Sequence, residues 1–186
     1  MSPGREGLSG KVGRGLGPTR RTGGAPRSGD RRVDTLPRWA DSPLPSRVDM
    51  RERNEQIIAD YRANGGRPSD GGMPLVVITT TGAKTGNLHT TPVCVRDDGG
   101  VLVVAGSMGG MRKHPQWYRN LQADPELTVE YLGETYRARA ELVPNSQDRN
   151  RLFDMMSEVI IGLYCYQDRA AEHRQIPIIR LARINE

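Results

Sequence analysis

Two segments of this chain carry residue types that suit an anionic ligand. The first, TTTGAKTGNLHTTP, covers residues 79–92, and the second, GSMGGMRKHPQWYRNL, covers residues 106–121. The chain has only three lysines, and two of them, Lys84 and Lys113, lie in these segments. Glycine-flanked backbone amides, hydroxyl groups and isolated cations together are typical of phosphate and carboxylate sites. Both segments are therefore candidates for one binding site.

Each segment has a functional and an ordinary interpretation. The loop GAKTG is not a Walker motif, because it lacks the GxxxxGK[ST] spacing and the helix that should follow. It can still form an anion nest with Lys84, Thr85, Thr90 and Thr91, or it can be an exposed hairpin loop with a solvated lysine. In the second segment, SMGGM allows a backbone to approach a flat ligand closely. The aromatic residues that follow it can stack on a ring or fill the core.

The sequence lacks the usual catalytic constellations. No paired carboxylates, Ser/His/Asp order or nucleophile elbow occurs, so a hydrolase that supplies its own nucleophile is unsupported. With three histidines and no CxxC or HExxH spacing we expect no metal site. Cys94 and Cys165 are expected to be free thiols. Binding groups without reactive ones indicate an enzyme in which a cofactor performs the difficult chemical step.

Hydrophobic periodicity and turn residues predict the elements that must position these segments. Helices are expected where apolar residues recur every three or four positions, and strands where β-branched residues alternate. The predicted helices are 51–64, a short one after Pro115, 146–160 with Ser146 as N-cap, and 164–171. The predicted strands are 75–81, 89–96, 101–107, 127–132, 135–143 and 176–184, with hairpin turns at 97–100 and at Gly133-Glu134. This pattern predicts an α+β fold, a small antiparallel barrel of about six strands with flanking short helices.

Charge divides the chain into two parts. Residues 1–49 hold nine arginines and one lysine against five acidic residues, which accounts for the whole net charge of +5. This segment is rich in glycine and proline, and we expect it to be disordered. It is interpreted as an upstream extension from a mis-set start, an organelle transit peptide, or an attachment to anionic lipid. Residues 50–186 form the expected single domain, and we expect a cytoplasmic protein without nucleic-acid binding.

Three motifs in order carry a resemblance to a known family. The runs TTTGAKTGNLHTTP, VVAGSMGGMRKHPQWYRNLQADPELTVE and IPIIRL resemble the deazaflavin-dependent nitroreductases of actinobacteria, which belong to the split β-barrel flavin-binding superfamily. The resemblance covers about residues 52–184. It implies coenzyme F-420, whose 5-deazaflavin ring carries a hydride and whose phosphodiester and glutamyl tail is polyanionic.

The resemblance also implies roles for particular residues. Lys84 and Thr85 would contact the tail phosphate, with the amide of Ala83, and His89 stands as a weakened phosphate contact where the family has arginine. The other residues expected at the coenzyme are Thr90, Thr91, Pro92, Val93, Ala105, Gly106, Ser107, Met108, Gln116, Trp117, Tyr118 and Asn120. Tyr166 and Ser107 are the expected catalytic residues, which would stabilise or protonate developing negative charge.

The same resemblance leaves the acceptor side open. Ile160 and Leu163 replace two tyrosines of the family's Tyr-rich segment, and Tyr164 is a candidate substitute for one of them. The expected function is an oxidoreductase that transfers a hydride from the reduced coenzyme to a quinone, enone or nitro compound. A binding protein without turnover and an FMN-dependent oxidoreductase of the same superfamily are the alternatives. The physiological substrate and the oligomeric state do not follow from the sequence.

Overall fold

The computed structural model describes residues 47–184 of the chain, with side chains from residue 49 onward. The described part of the chain contains six strands and four helices. The strands are β1 (Leu75–Thr81), β2 (Leu88–Asp98), β3 (Val101–Ala105), β4 (Glu126–Tyr131), β5 (Glu134–Leu142) and β6 (Ile178–Arg183). The helices are α1 (Arg47–Ala63), α2 (Gln116–Ala123), α3 (Gln147–Ser157) and α4 (Leu163–Ala170), and a short 3-10 turn covers Met108–Gly110.

The strands form a closed antiparallel barrel in the order β1-β2-β3-β6-β5-β4. This confirms the predicted fold class. One core cluster fills the barrel with residues such as Val76, Ile78 and Val129, and α2 adds Trp117 and Leu121 to it. A second cluster lies between the barrel and the helix pair α3 and α4. The two clusters hold α2 and α4 against the barrel.

Two-residue turns close the β2–β3 and β4–β5 hairpins of the barrel. Gly99 and Gly100 have φ values of 68° and 93°, as a type I′ hairpin turn requires. In the second hairpin Tyr131 pairs with Glu134, so the turn residues are Leu132 and Gly133. The predicted turn at Gly133-Glu134 was therefore wrong by one residue. Leu132 has a φ of 50°, which places its backbone in the left-handed region that leucine rarely adopts.

Helix α1 is fixed to the outside of the barrel by polar contacts near its C-terminal end. The hydroxyl of Tyr61 donates to the carbonyl of Glu130 (3.2 Å) and accepts from the amide of Leu132 (3.4 Å). Arg62 makes a bidentate ion pair with Glu130, at 2.6 and 2.7 Å. The helix begins at Arg47, before the expected domain boundary, and the expectations for residues 1–46 lie outside the described residues. No described helix is long and apolar enough to span a membrane.

The segment around α3, α4 and β6 is shorter in regular structure than the sequence predicts. The hydroxyl of Ser146 accepts a hydrogen bond from the amide of Arg149 (3.2 Å), which confirms the predicted N-cap. Strand β6 begins at Ile178 instead of residue 176. The amide of Ile176 donates to the side chain of Gln167 (2.8 Å), and Pro177 has no amide hydrogen for a ladder. The chain is thus held to α4 before it enters the barrel.

Two adjacent glycines after α1 offer a matched test of how the end of this helix packs against the β4–β5 turn. Gly66 has φ of +81°, and a Cβ there would lie 2.4 Å from the amide nitrogen of Gly133, whereas Gly65 (φ +63°) has nothing within 4 Å. We expect Gly65→Ala to cost about 1 kcal/mol of unfolding free energy through backbone strain alone. Gly66→Ala is expected to cost about 2 kcal/mol more, because backbone must also move. Urea unfolding measures both, and equal losses would contradict the described packing.

Candidate functional site

The first half of strand β2 has one edge that no neighbouring strand covers in the described part of the chain. It pairs with β1 over Leu88–Cys94 but with β3 only over Val95–Asp98. After Val104, β3 continues along β6, where Ala105 pairs with Ile178 and the amide of Gly106 donates to Pro177 (2.9 Å). The other edge of residues 88–94 therefore has no backbone partner among the described residues. This open edge is a place where a ligand can meet main-chain groups.

The alternation of hydrogen bonds along β2 shows which residues direct their backbone N–H and C=O groups toward the open edge. The amide of Val95 donates to Pro74 (3.0 Å) and the amide of Gly82 donates to Asn87 (2.8 Å), so odd-numbered residues of β2 bond to β1. Alternation then turns the backbone groups of the even-numbered Leu88, Thr90 and Pro92 toward the open edge. Pro92 has no amide hydrogen and fits such an edge without losing a ladder bond. The predicted TTP run thus lies at the open edge.

The GAKTG loop forms a small polar cradle at one end of this edge. A Cβ on Gly82 would lie 2.9 Å from both Thr85 Oγ1 and His89 Nε2, so these two polar atoms surround one point that only glycine leaves open. Residues 83–90 are exposed. Among the described residues, the amides of Lys84 and Thr85 have no intramolecular acceptor. Two amides, a hydroxyl, an imidazole and an ammonium group can together hold a phosphate.

Asn120 fixes the shape of this loop from within. Its side chain is fully buried (0% exposed), donates to Thr80 Oγ1 (3.0 Å) and accepts from the amide of Ala83 (3.2 Å) and from Gln116 (2.8 Å). The amide of Ala83 therefore donates to Asn120, and its expected contact with the tail phosphate stays a prediction. The buried side chain of Asn120 positions this loop, and its expected contact with the cofactor stays a prediction.

The second segment forms a tight turn between β3 and α2. Met108, Gly109 and Gly110 all have positive φ values of 44°, 60° and 75°. A Cβ on Gly106 would lie 2.7 Å from the ring of Pro177, and one on Gly110 would lie 2.6 Å from the carbonyl of Tyr166. The turn is therefore pressed against α4 and the start of β6. Glycine is required at Gly106 and Gly110 because no side chain fits there.

Two arginines from the α4 region hold the carbonyl groups of this turn. Arg174 donates to Ser107 O (2.7 Å), Met111 O (2.8 Å) and Gly106 O (3.0 Å). Arg169 donates to Gly109 O (3.1 Å). Arg174 is buried, and burial lowers the pKa of its guanidinium below the usual value. Neither arginine was identified from the sequence, because a charged residue in a helix or a connecting segment is usually a solvated surface residue.

His114 connects the turn to α2. Its ring lies 4.8 Å from that of Tyr118, and its Nδ1 lies 3.5 Å from Arg174 Nη1. Burial, followed by the nearby charges of Arg174 and Arg119, lowers the pKa of His114. The imidazole is therefore favoured in its neutral form. This agrees with its proximity to a permanent cation, and His114 is better suited to support the turn than to carry charge.

The predicted site residues fall into an exposed group and a buried group. Lys84, Thr85, His89, Thr90, Met108 and Gln116 are exposed, and Thr91, Pro92 and Ser107 are partly exposed. Val93, Ala105, Gly106, Trp117, Tyr118 and Asn120 are buried. Trp117 and Tyr118 belong to the barrel core, which favours the ordinary interpretation of these rings as packing residues. Their contact with a ligand stays a prediction.

The two predicted catalytic residues, Tyr166 and Ser107, belong to two segments that contact each other at Gly110. The backbone of Tyr166 packs against Gly110 in the turn that Ser107 begins. Tyr166 is buried in the cluster that also contains Ala105, and Cys94 packs against this cluster. Burial raises the pKa of the Tyr166 phenol, and the charge of Arg169 opposes this effect. The phenol therefore stays protonated at neutral pH and is suited to donate a hydrogen bond.

The other aromatic candidate near the acceptor side has a different partner. The hydroxyl of Tyr164 donates a short hydrogen bond to Asp154 on α3, and its ring packs edge-on against Phe153. Ile160 and Leu163 are buried in the core. Tyr164 therefore ties α4 to α3, and its expected substitution for a missing tyrosine stays a prediction. Cys94 and Cys165 are free thiols, as predicted.

Charge and shape together define what this site can hold. Residues 79–92 and 106–121 contain four arginine or lysine side chains and no acidic residue. The cradle offers donors for a phosphate, the open edge offers unpaired backbone groups, and the glycines of the turn allow a backbone to approach a ligand closely. The site can therefore bind an extended ligand with a planar head and an anionic tail. A redox cofactor has this shape.

Comparisons with known proteins agree with this geometry. Residues 50–182 match the family model described as F420H(2)-dependent quinone reductase. A relative from Mycobacterium tuberculosis, named an F420H(2)-dependent quinone reductase, is 33% identical over 130 residues, which cover 67% of this chain and 86% of the relative. A relative from Mycobacterium bovis has the same identity and coverage.

Solved structures show the same relationship. One, described as an F420-H2 dependent reductase, matches with a TM-score of 0.52 and 28% identity, over 58% of this chain and 93% of its own. Another, described as a domain-swapped dimer, matches with a TM-score of 0.54 and 28% identity, over 73% of this chain and 99% of its own. The family resemblance found in the sequence is confirmed.

The positioning role of Asn120 is testable without any ligand. In Asn120→Ala the amide of Ala83 and the hydroxyl of Thr80 lose their buried partner, and we expect a loss of about 2–4 kcal/mol of unfolding free energy. Hydrogen exchange at the Ala83 amide should accelerate more than exchange in the barrel strands. Gln122→Ala, an exposed change on the same helix, is the control and should leave both quantities unchanged. An Asn120→Ala protein that is as stable as the unchanged protein and keeps its Ala83 amide protected would refute the positioning role of Asn120.

Proposed function

This chain belongs to the F420H(2)-dependent quinone reductase family, and from that premise we propose that it reduces a quinone with reduced coenzyme F-420. The observation that carries the proposal is the pairing of an anion cradle with an open strand edge and a glycine turn. The residues fit the coenzyme: a polyanionic tail matches the Lys84 loop, and a planar ring matches the unpaired edge of β2. Enones and nitro compounds are further proposed acceptors, because they also accept a hydride at an electron-poor carbon or nitrogen.

The coenzyme supplies the chemical step. When bound, it provides a hydride from its deazaflavin ring. The protein's own contribution is binding, orientation and exclusion of water. The amides of Lys84 and Thr85, the hydroxyl of Thr85 and the side chains of Lys84 and His89 hold the tail. The edge of β2 from Thr90 to Val93 and the turn that begins at Ser107 enclose the ring.

The acceptor side needs a group that stabilises negative charge as a carbonyl oxygen gains electrons. Tyr166 suits this role because its phenol is buried and protonated at neutral pH, and its backbone contacts the turn at Gly110. The hydroxyl donates a hydrogen bond to the developing oxyanion and supplies the proton that completes a hydroquinone. The partly exposed Ser107, which begins the turn, is the second proposed donor.

Direct binding measurements distinguish the coenzyme assignment from its alternatives. Oxidised coenzyme F-420 is fluorescent, and titration of purified protein with it should give saturable quenching. Reduced coenzyme should then be oxidised in the presence of a soluble naphthoquinone. Protein that is yellow as purified, with bound FMN, would favour the FMN alternative. Saturable binding without turnover on quinones, enones or nitroaromatics would favour a binding protein.

The contribution of Lys84 is expected to be electrostatic and specific to the tail. We expect Lys84→Ala to raise the Kd of oxidised coenzyme F-420 about fivefold at low salt, because one exposed cation is worth about 1 kcal/mol. The difference should shrink at high ionic strength. Arg53→Ala removes the same charge from the exposed face of α1 and serves as the control. A chromophore that lacks the phosphodiester tail should bind both variants like the unchanged protein, and a loss with that chromophore would contradict the assignment.

Two tyrosines of α4 separate catalysis from stability. Tyr166→Phe is expected to lower kcat with a soluble naphthoquinone about hundredfold, because the donor to the developing oxyanion is removed. Its Kd for the coenzyme should not change. Tyr164→Phe loses the bond to Asp154 and should lower the unfolding midpoint while kcat stays within twofold. Since burial raises the pKa of Tyr166, the Tyr166-dependent rate should be flat through neutral pH and fall only in alkali. Equal kcat values for the two variants would remove Tyr166 from the catalytic role.

A further inference from the structure

Arg174 occupies an unusual electrostatic position in this fold. It is buried, and none of the ion pairs among the described residues includes it. Its donors instead go to three carbonyl oxygens of one turn, those of Gly106, Ser107 and Met111. A buried cation is costly unless polar groups surround it. The carbonyl dipoles of the turn therefore serve as the counter-charge of Arg174.

These hydrogen bonds also determine which way the neighbouring amides point. In a trans peptide unit the carbonyl and the following N–H are on opposite sides. Because the carbonyls of Gly106, Ser107 and Met111 point to Arg174, the amides of Ser107, Met108 and Arg112 point away from it. None of these three amides has an intramolecular acceptor among the described residues. They form a set of fixed donors on the face of the turn opposite Arg174.

Only a guanidinium can satisfy this arrangement. Its donors spread over three nitrogens, and here Nε, Nη1 and Nη2 each reach a different carbonyl. An ammonium group is a single point charge on a flexible stem and cannot span three peptide units in the same geometry. Met108 is a non-glycine residue in the left-handed region, and such a conformation persists only where surrounding contacts hold it. The turn therefore depends on Arg174 for its conformation.

We propose that Arg174 is a positioning residue that holds the Gly106–Met111 turn in its ligand-binding shape and directs the amides of Ser107, Met108 and Arg112 toward the bound ligand. The coenzyme part of this inference rests on the proposed function. Arg174 lies in the connection between α4, which carries Tyr166, and strand β6. The same residue thus connects the cofactor turn with the acceptor side of the site.

A second buried arginine provides the matched control. Arg149 is also buried, and burial also lowers its pKa. It donates to the carbonyl of Ile176 (2.7 Å) and lies over the ring of Phe153, and it makes no described hydrogen bond to a carbonyl of the turn. Arg174→Lys and Arg149→Lys keep the charge and remove the guanidinium geometry. Loss of unfolding free energy is expected in both variants, so stability alone does not distinguish them.

The decisive readouts are local order and the separation of two Michaelis constants. In Arg174→Lys we expect hydrogen exchange of the 106–114 peptide, measured without ligand, to accelerate about tenfold beyond the change in the barrel strands. The Kd for oxidised coenzyme F-420 and the KM for the reduced coenzyme should rise about tenfold. The KM for a soluble naphthoquinone at saturating coenzyme should stay within twofold. Arg149→Lys should leave the exchange of this peptide and both coenzyme constants near the values of the unchanged protein.

Each outcome decides the proposal. If Arg174→Lys and Arg149→Lys changed exchange and coenzyme affinity equally, Arg174 would be a purely structural residue and the inference would be overturned. If Arg174→Lys unfolded the protein, Arg174→Gln, which keeps two donors, should give a folded protein with the same local effect. If the unchanged protein failed to bind the coenzyme, the proposed function would fail. The exchange difference in ligand-free protein would still decide whether Arg174 holds the turn.

Discussion

The site of this barrel depends on one constraint, the point at which β3 leaves β2 and continues along β6. Up to Val104 the two strands share a ladder, and from Ala105 onward β3 bonds only to β6. The barrel closes all the same, because β6 also pairs with β5. The divergence leaves the first half of β2 with one free edge and sends the chain into the glycine turn. Edge, turn and the start of α2 are all consequences of this divergence.

Buried polar side chains then convert flexible loops into fixed surfaces. Asn120 joins the GAKTG loop to α2, and Arg174 joins the glycine turn to the α4–β6 connection. In both cases an exposed loop contributes backbone groups to a buried side chain, and the desolvated group needs those partners. The loop cannot move without leaving that side chain unsatisfied. Two loops of unusual glycine content therefore keep a defined shape without hydrophobic cores of their own.

The sequence predicted the parts of this structure that depend on local patterns. Alternating β-branched residues and the Gly99-Gly100 turn specify strands and a hairpin within a few residues. The ordered motifs identified the family. The positioning contacts of Asn120 and Arg174 were not predicted, because they join residues that lie 37 and 67 positions apart in the chain. A polar residue in a predicted helix gives no sign that it points inward, and the turn at Leu132 requires tertiary support for an unusual leucine conformation.

The open edge of β2 has a consequence for the solubility of the protein. An unpaired strand edge is a template for pairing with another chain, and most sheets protect such edges. Leu88 is exposed here, and the backbone of Thr90 points outward. Pro92, which lacks an amide hydrogen, interrupts the donor row in the middle of the edge and limits strand addition by a second molecule. A ligand that covers this edge protects it further, so the ligand-free protein is the form most exposed to self-association.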